Sequence, residues 1–212
     1  MLGVKDVKGV ISDLLEKLGG DDSFAWFTEL KKFLRKEPCW TAEVKNLSLR
    51  LIASGKQIII AACDGTQTLA QAKEMFSSDI HYGFKNFNLN KPGEATEETV
   101  VQVYELLQHA TYAQMYESLG VDLGKLCMTQ HQIVAFCEQN PDWLHLDDEH
   151  VITSFLFRGD EGKSATPDNL FVANAYAQCG KLDCAVYQFE LPSYWETRDQ
   201  KHRLVFPPHE AI

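Results

Sequence analysis

The sequence predicts an α+β protein, and three observations carry that prediction. Apolar residues near the N-terminus recur at helical spacing, and those around residues 47–63 alternate or run continuously as strands do. Four short apolar segments then follow Val151, separated by turn-like links. Helices and an antiparallel sheet thus fall in separate stretches of the chain, unlike the regular alternation of βαβ units.

The first element is helical. Val7, Val10, Ile11, Leu14, Leu15 and Leu18 line one face, and Gly19-Gly20 ends it. Ser23 is placed to cap a second helix carrying Trp26, Phe27, Leu30, Phe33 and Leu34, which Pro38 closes. These two make an N-terminal helical hairpin over residues 1–40, attached to an α+β domain over residues 41–212. The cluster Lys31, Lys32, Arg35 and Lys36 reads as a solvated helix face.

The period then changes to that of strands. Leu47, Leu49 and Leu51 alternate with Ser48 and Arg50, Ser54-Gly55-Lys56 makes a turn, and QIIIAAC runs apolar without a break. Residues 44–53 and 57–63 are therefore expected to pair as a β-hairpin, its second strand covered on both faces. Asp64–Thr68 leads into a short helix with Leu69, Ala72, Lys73 and Phe76.

Residues 77–95 show no clear period, a long irregular stretch for a compact domain. They hold Ile80, Tyr82, Phe84, Phe87 and Leu89, too many large apolar residues for disorder, so a packed loop is expected. Three short helices follow. Residues 97–109 present Val100, Tyr104 and Leu107. Thr111 with Gln114 opens a helix ending at Gly120, and Thr129 with Gln132 opens another running to Asn140. Both pairs are capping boxes, and Met128 with Ile133 forms a hydrophobic staple at the second. From Val151 onward, VITSFLF, NLFVANAYAQ, CAVYQFEL and RLVFP are expected to form an antiparallel meander.

Composition excludes several classes of function. The net charge of −10 comes from the middle of the chain, where residues 57–150 carry four Lys and Arg against fourteen Asp and Glu. Such a surface repels a phosphate backbone, so nucleic acid is disfavoured as a partner. A reading helix of helix-turn-helix type would be QHQIVAFCEQN, which has no Arg or Lys to reach phosphate or guanine. No apolar run approaches the roughly 20 residues that span a bilayer, and the charged N-terminus is not of signal-peptide type. A cytoplasmic, reduced setting is expected. The six cysteines, Cys39, Cys63, Cys127, Cys137, Cys179 and Cys184, form no CxxC pair and are expected to be free thiols. Cys179 and Cys184 flank a tight turn, where a hairpin would let them face each other.

The best candidate for chemistry is the junction IIIAACDGTQTLAQA. An apolar strand handing over to a helix start can aim backbone N–H groups at an anion. The junction resembles that of the haloacid-dehalogenase phosphatases, a strand followed by Asp-x-Asp-Gly-Thr. Only Asp64, Gly65 and Thr66 match, and Ala62 stands where that family has its nucleophile. The covalent step has no carrier here, and that family is rejected. The competing reading makes Asp64-Gly65 a turn and Thr66 or Thr68 a helix cap. A ligand-binding site at Asp64, Gly65, Thr66 and Thr68 would be completed by His81 and Lys85 from the 77–95 loop.

Three weaker signals complete the set. His145, Asp147, Asp148, Glu149 and His150 could ligate a divalent metal, but a solvated link between helix and strand accounts for them. Neither metal nor any other cofactor is expected. Tyr194, Trp195, Arg198 and Arg203 combine aromatics with arginines, as interfaces do. No Gly-x-Ser-x-Gly elbow, Gly-Lys-Ser/Thr phosphate loop or Gly-x-Gly-x-x-Gly turn is present.

Taken together, IIIAACDGTQTLAQAKEMF, GFKNFNL, LCMTQHQIVAFCEQNPDWL, LFVANAYAQ and KHRLVFPP resemble small bacterial proteins of unassigned function, over about residues 57–207. That resemblance implies a bacterial, cytoplasmic setting and brings no activity, cofactor or partner. The expected function is non-enzymatic, through contact with a protein partner or a small ligand. The alternative is a hydrolase of an anionic substrate at Asp64–Thr68, with Asp64 as acid/base or metal ligand and Lys85 stabilising charge.

Overall fold

The protein is represented by a computed structural model that describes residues 30, 31, 34, 49–52, 57–76, 81–144, 151–178, 181–191, 195 and 201–208. The chain divides into two compact units, Met1–Lys45 and Asn46–Ile212. In the first, Leu30, Lys31 and Leu34 are described, and all three are helical. The remainder of the expected helical hairpin lies outside the described residues.

The second unit is built on strands β1 (Leu49–Leu51), β2 (Ile58–Ile60), β3 (Thr99–Leu106), β4 (Val151–Arg158), β5 (Leu170–Gln178), β6 (Lys181–Gln188) and β7 (Lys201–Phe206). They form one sheet in the order β1-β3-β7-β4-β5-β6, with β2 also paired to β3. Short helices α1 (Gly83–Asn86), α2 (Tyr112–Glu117), α3 (Leu123–Leu126) and α4 (Gln130–Gln139) accompany it. The fold is α+β.

Three expectations are corrected. Residues 97–109 are not a helix but hold β3, which pairs with β1, β2 and β7. Val101 and Val103 bury against one face while Leu106 buries against the other. A strand covered on both faces loses the alternation that marks strands in sequence.

The second correction concerns the expected β-hairpin. β1 and β2 do not pair with each other. Both run antiparallel to β3, β1 against residues 104–106 and β2 against residues 99–101. Arg50 and Glu105, opposite in register, form an ion pair.

The third concerns the C-terminal strands. β4, β5 and β6 do make an antiparallel meander. β7 leaves it and lies between β3 and β4, parallel to β4 and antiparallel to β3. The sheet is mixed for that reason. A return to the middle leaves no mark on the local pattern, because the neighbours of β7 are residues far from it in sequence.

Each face of the sheet carries its own core. Phe155, Phe157, Phe171, Ala173 and Val186 face one way, against Ile133, Val134, Phe136 and Cys137 of α4 and Phe84 of α1. Leu156, Val172, Leu204 and Phe206 face the other way, against Tyr112, Met115 and Tyr116 of α2 and Leu126 of α3. The period of two within β4 divides Phe155 and Phe157 from Leu156.

The helix starts follow the sequence. Thr111 and Thr129 accept the N–H of Gln114 and Gln132, at 3.3 and 3.2 Å, and the two glutamine side chains accept the threonine N–H groups in return. Met128 and Ile133 are buried as a staple. Among the described residues no helix is long and apolar enough to cross a membrane.

Candidate functional site

The turn after β2 is held by its own side chains. Asp64 Oδ1 accepts the Thr66 N–H at 2.9 Å and the Thr66 hydroxyl at 2.7 Å. Those two bonds, the hydroxyl first, lower the Asp64 carboxyl below its usual range. Gly65 takes φ 79°, where a side chain would be strained. Thr68 occupies the N-cap position of a 3-10 turn, Leu69–Gln71, where its N–H donates to Gln71 Oε1 at 3.2 Å and its hydroxyl makes no capping bond among the described residues.

His131 completes the surroundings of Asp64. Its Nδ1 stands 3.1 Å from Asp64 Oδ1, brought there by the first turn of α4. The two residues lie far apart in sequence, so no local motif joins them. The expected companions, His81 and Lys85, have other neighbours. The His81 ring sits 4.3 Å from Tyr82 and 5.7 Å from Tyr187 of β6, centroid to centroid, and burial lowers its pKa. Lys85 is exposed on α1.

The 77–95 loop does reach the Asp64 turn, through its far end. Cys63 and Thr96 exchange backbone hydrogen bonds of 2.9 and 2.8 Å, and the Gly93 N–H donates to the Gly65 carbonyl at 2.9 Å. Residues 93–96 thereby lie alongside residues 63–65 as a strap. Phe84 and Leu89 anchor the loop in the core.

Beyond the strap lies a cleft of about 180 Å³ that sequence reading missed. Lys91–Glu94, Gln130 and the turn Arg158–Gly162 line it. Gln130 ties the strap to the body: its Oε1 accepts the Leu69 N–H at 3.1 Å and its Nε2 donates to the Lys91 carbonyl at 3.4 Å. On the opposite wall, buried Asn169 accepts the Asp160 N–H at 2.9 Å and donates to the carbonyls of Asp160 and Ser164, both at 3.0 Å. Arg158 Nη1 donates to the carbonyls of Glu161 and Lys163, at 3.2 and 3.4 Å.

The two walls meet through charges. Lys91 Nζ is 3.4 Å from Asp160 Oδ2, and Lys163 Nζ is 3.9 Å from the same oxygen. The Lys91 contact is the main reason the Asp160 carboxyl titrates below its ordinary range. Glu161 Oε2 accepts the Glu94 N–H at 2.6 Å. In sequence the segments GDEG and KPGE read only as a turn and a loop. What marked them was glycine beside one or two carboxylates, a pattern too common to single out.

The described thiols offer no nucleophile. Burial raises Cys63, Cys137 and Cys184, and pushes Cys127 up to about 12. All four are free, and Cys184 stands opposite Ala175 in register. Cys179 lies outside the described residues.

No family model, curated protein or solved structure matches the chain.

Of the expected interface residues, Trp195 is half-buried, its ring 5.1 Å from Tyr112, 5.4 Å from Tyr187 and 5.3 Å from His202. Arg203 is buried in β7, where Nη1 donates to the Trp143 carbonyl at 2.7 Å and the guanidinium lies over the Trp143 ring. Tyr194 and Arg198 lie outside the described residues, as do the metal candidates at 145–150. Among the described residues no group of three or more His, Cys, Asp or Glu side chains could hold a metal ion.

Proposed function

We propose that this protein is a non-catalytic binder of a small polar ligand, and that the ligand sits in the cleft between the Lys91–Glu94 strap and the Arg158–Gly162 turn. The observation that carries this reading is the lining. Lys91, Arg158, Asp160 and Glu161 bring both signs of charge to a space of about 180 Å³, enough for a molecule near the size of a single small ring. Ligand sites combine a preformed hollow with a few convergent polar groups, and hydrogen bonds from Gln130, Asn169 and Arg158 brace these walls. A cytoplasmic setting suits free thiols.

The test is a fragment screen of small polar compounds against isotope-labelled protein, followed by backbone NMR. Binding fragments should move the amides of residues 91, 93, 94 and 158–162. A screen with no responses in those segments, or with responses elsewhere only, overturns the reading.

A hydrolase acting on an anionic substrate at Asp64–Thr68 is the second reading. The approach of His131 Nδ1 to Asp64 favours it, because a carboxylate can orient an imidazole as a general base. Phosphatase, esterase and nuclease assays decide it. Turnover should vanish in both Asp64→Asn and His131→Ala, and inactivity of the unaltered protein in all three removes the idea.

A further inference from the structure

The hydrogen bond between Glu161 and Glu94 joins a flexible carboxylate to a backbone amide across the cleft. Glu161 Oε2 receives the Glu94 N–H at 2.6 Å, short even for a charge-assisted bond. The residue before Glu94 is Gly93, and a side chain there would overlap the Glu161 carboxylate. The strap thus presents a bare Cα and one N–H donor to a carboxylate. Two cations stand on the same cleft, Lys91 on the strap and Arg158 under the turn.

We propose that the Gly93–Glu94 backbone is a seat for the carboxylate of a small ligand, and that Glu161 occupies it as a tethered substitute when no ligand is bound. The inference rests on the cleft being the ligand site and names the chemistry it takes. Four features argue for a substitute. Glu161 sits on the turn Gly159–Gly162, bounded by a glycine at each end. The turn is held by Arg158 and Asn169 through backbone carbonyls and the Asp160 N–H, so the Glu161 side chain can leave without unmaking it. The Glu161 side chain has its described hydrogen bond on the strap, not within its own turn. Finally, the Gly93 N–H is already taken by Gly65, which fixes the strap and leaves the Glu94 N–H as the donor facing the cleft.

A tethered occupant competes with a free one. If Glu161 holds the seat at least nine-tenths of the time, the apparent affinity for a free carboxylate falls by about tenfold or more. Removing the tethered carboxylate should return that factor. The ligand expelled or admitted is a carboxylate and no bond is made or broken.

The experiment uses acetate as the probe and the amide of Glu94 as the reporter, in the full chain. Acetate titrations are followed by nitrogen–proton NMR for the unaltered protein, Glu161→Ala and Glu161→Gln. The expected result is acetate binding at least tenfold tighter in Glu161→Ala, with shifts centred on Gly93 and Glu94. Glu161→Gln keeps an acceptor oxygen without the charge and should fall between the two. It also serves if the alanine variant fails to fold. Acetate shifts equal in all three proteins, or absent from Glu94 in both variants, overturn the proposal and leave Glu161 as a strut. In that event, polar fragments that still bind the cleft keep the ligand-binding function alive. A cleft that binds no fragment at all removes that function on separate grounds.

Discussion

Gly65 and Gly93 meet backbone to backbone: the Gly93 N–H donates to the Gly65 carbonyl at 2.9 Å, and a Cβ on Gly65 would come within 2.5 Å of Gly93 O and the Glu94 carbonyl. The close approach holds the strap against the turn after β2. Gly120 provides an internal control, since it also has a positive φ, 65°, but nothing lies within 4 Å of its Cβ position. Gly120→Ala should lower stability by about 1 kcal/mol, the strain of a left-handed alanine alone. Gly65→Ala should lower it by about 2–4 kcal/mol, because a backbone clash is added. Urea denaturation of the two variants measures the difference. Equal losses would mean that the strap does not need this contact.

His202 is 0% exposed, and among the described residues neither ring nitrogen has a hydrogen-bond partner. Burial alone lowers its pKa from the ordinary 6.5 to about 4. In the folded protein the imidazole therefore stays neutral while the unfolded chain takes up a proton. Stability should be full above about pH 6.5 and fall as the pH drops towards 4, by about 3 kcal/mol in all. Below pH 4 this contribution levels off. His202→Phe should flatten that part of the stability–pH curve. An unchanged slope between pH 6.5 and 4 in the variant would assign the loss to other groups.

The helix carrying His131 begins at Thr129, whose hydroxyl accepts the Gln132 N–H. Thr129→Ala removes this cap and should destabilise the protein by about 1 kcal/mol, a fall of about 2–4 °C in melting temperature for a chain of this size. Gln132→Ala should lose more. Its side chain accepts the Thr129 N–H and also donates to Thr99 Oγ1 on β3 at 3.1 Å. Thermal scans of both variants give the order, and a harmless Gln132→Ala would disprove the tie to the sheet.

A buried polar chain crosses from sheet to helix. The Ser154 hydroxyl donates to Asn174 Oδ1 at 2.8 Å, and Asn174 Nδ2 donates to the Tyr112 hydroxyl at 2.7 Å. Tyr112→Phe leaves that buried amide without its acceptor, at a loss of about 1–3 kcal/mol. In the double variant with Asn174→Leu the combined loss should be smaller than the sum of the two single losses, because the second change removes the amide that the first leaves unpaired. The Ser154 hydroxyl loses its acceptor in both the single and the double Asn174 variants. Additive losses in the double variant would show that the two groups do not interact.

How much of this was legible in the sequence depends on whether the deciding contact was local. The threonine–glutamine caps at 111 and 129 stand where spacing put them, because both partners lie within one turn of helix. The β4–β6 meander follows from short links between strands. β3 was misread because Val100, Tyr104 and Leu107 also fit helical spacing. The run of β-branched Val100, Val101 and Val103 was the signal for a strand. The Asp64 turn was recognised, but its neighbour His131 arrives on a different element. The cleft was invisible for the same reason: its walls, 91–94 and 158–162, are joined only in the folded chain.

The place of β7 has a consequence for synthesis on the ribosome. This strand, residues 201–206, fills the slot between β3 and β4, yet it is the last of the seven to be made. Without it, β1–β3 and β4–β6 have no strand pairing between them, and the edges of β3 and β4 that it covers lack partners. A nascent chain stalled before residue 201 would hold both edges open and invite pairing with neighbouring chains. Shortening the chain ahead of β7 therefore removes the middle of the sheet and not its margin.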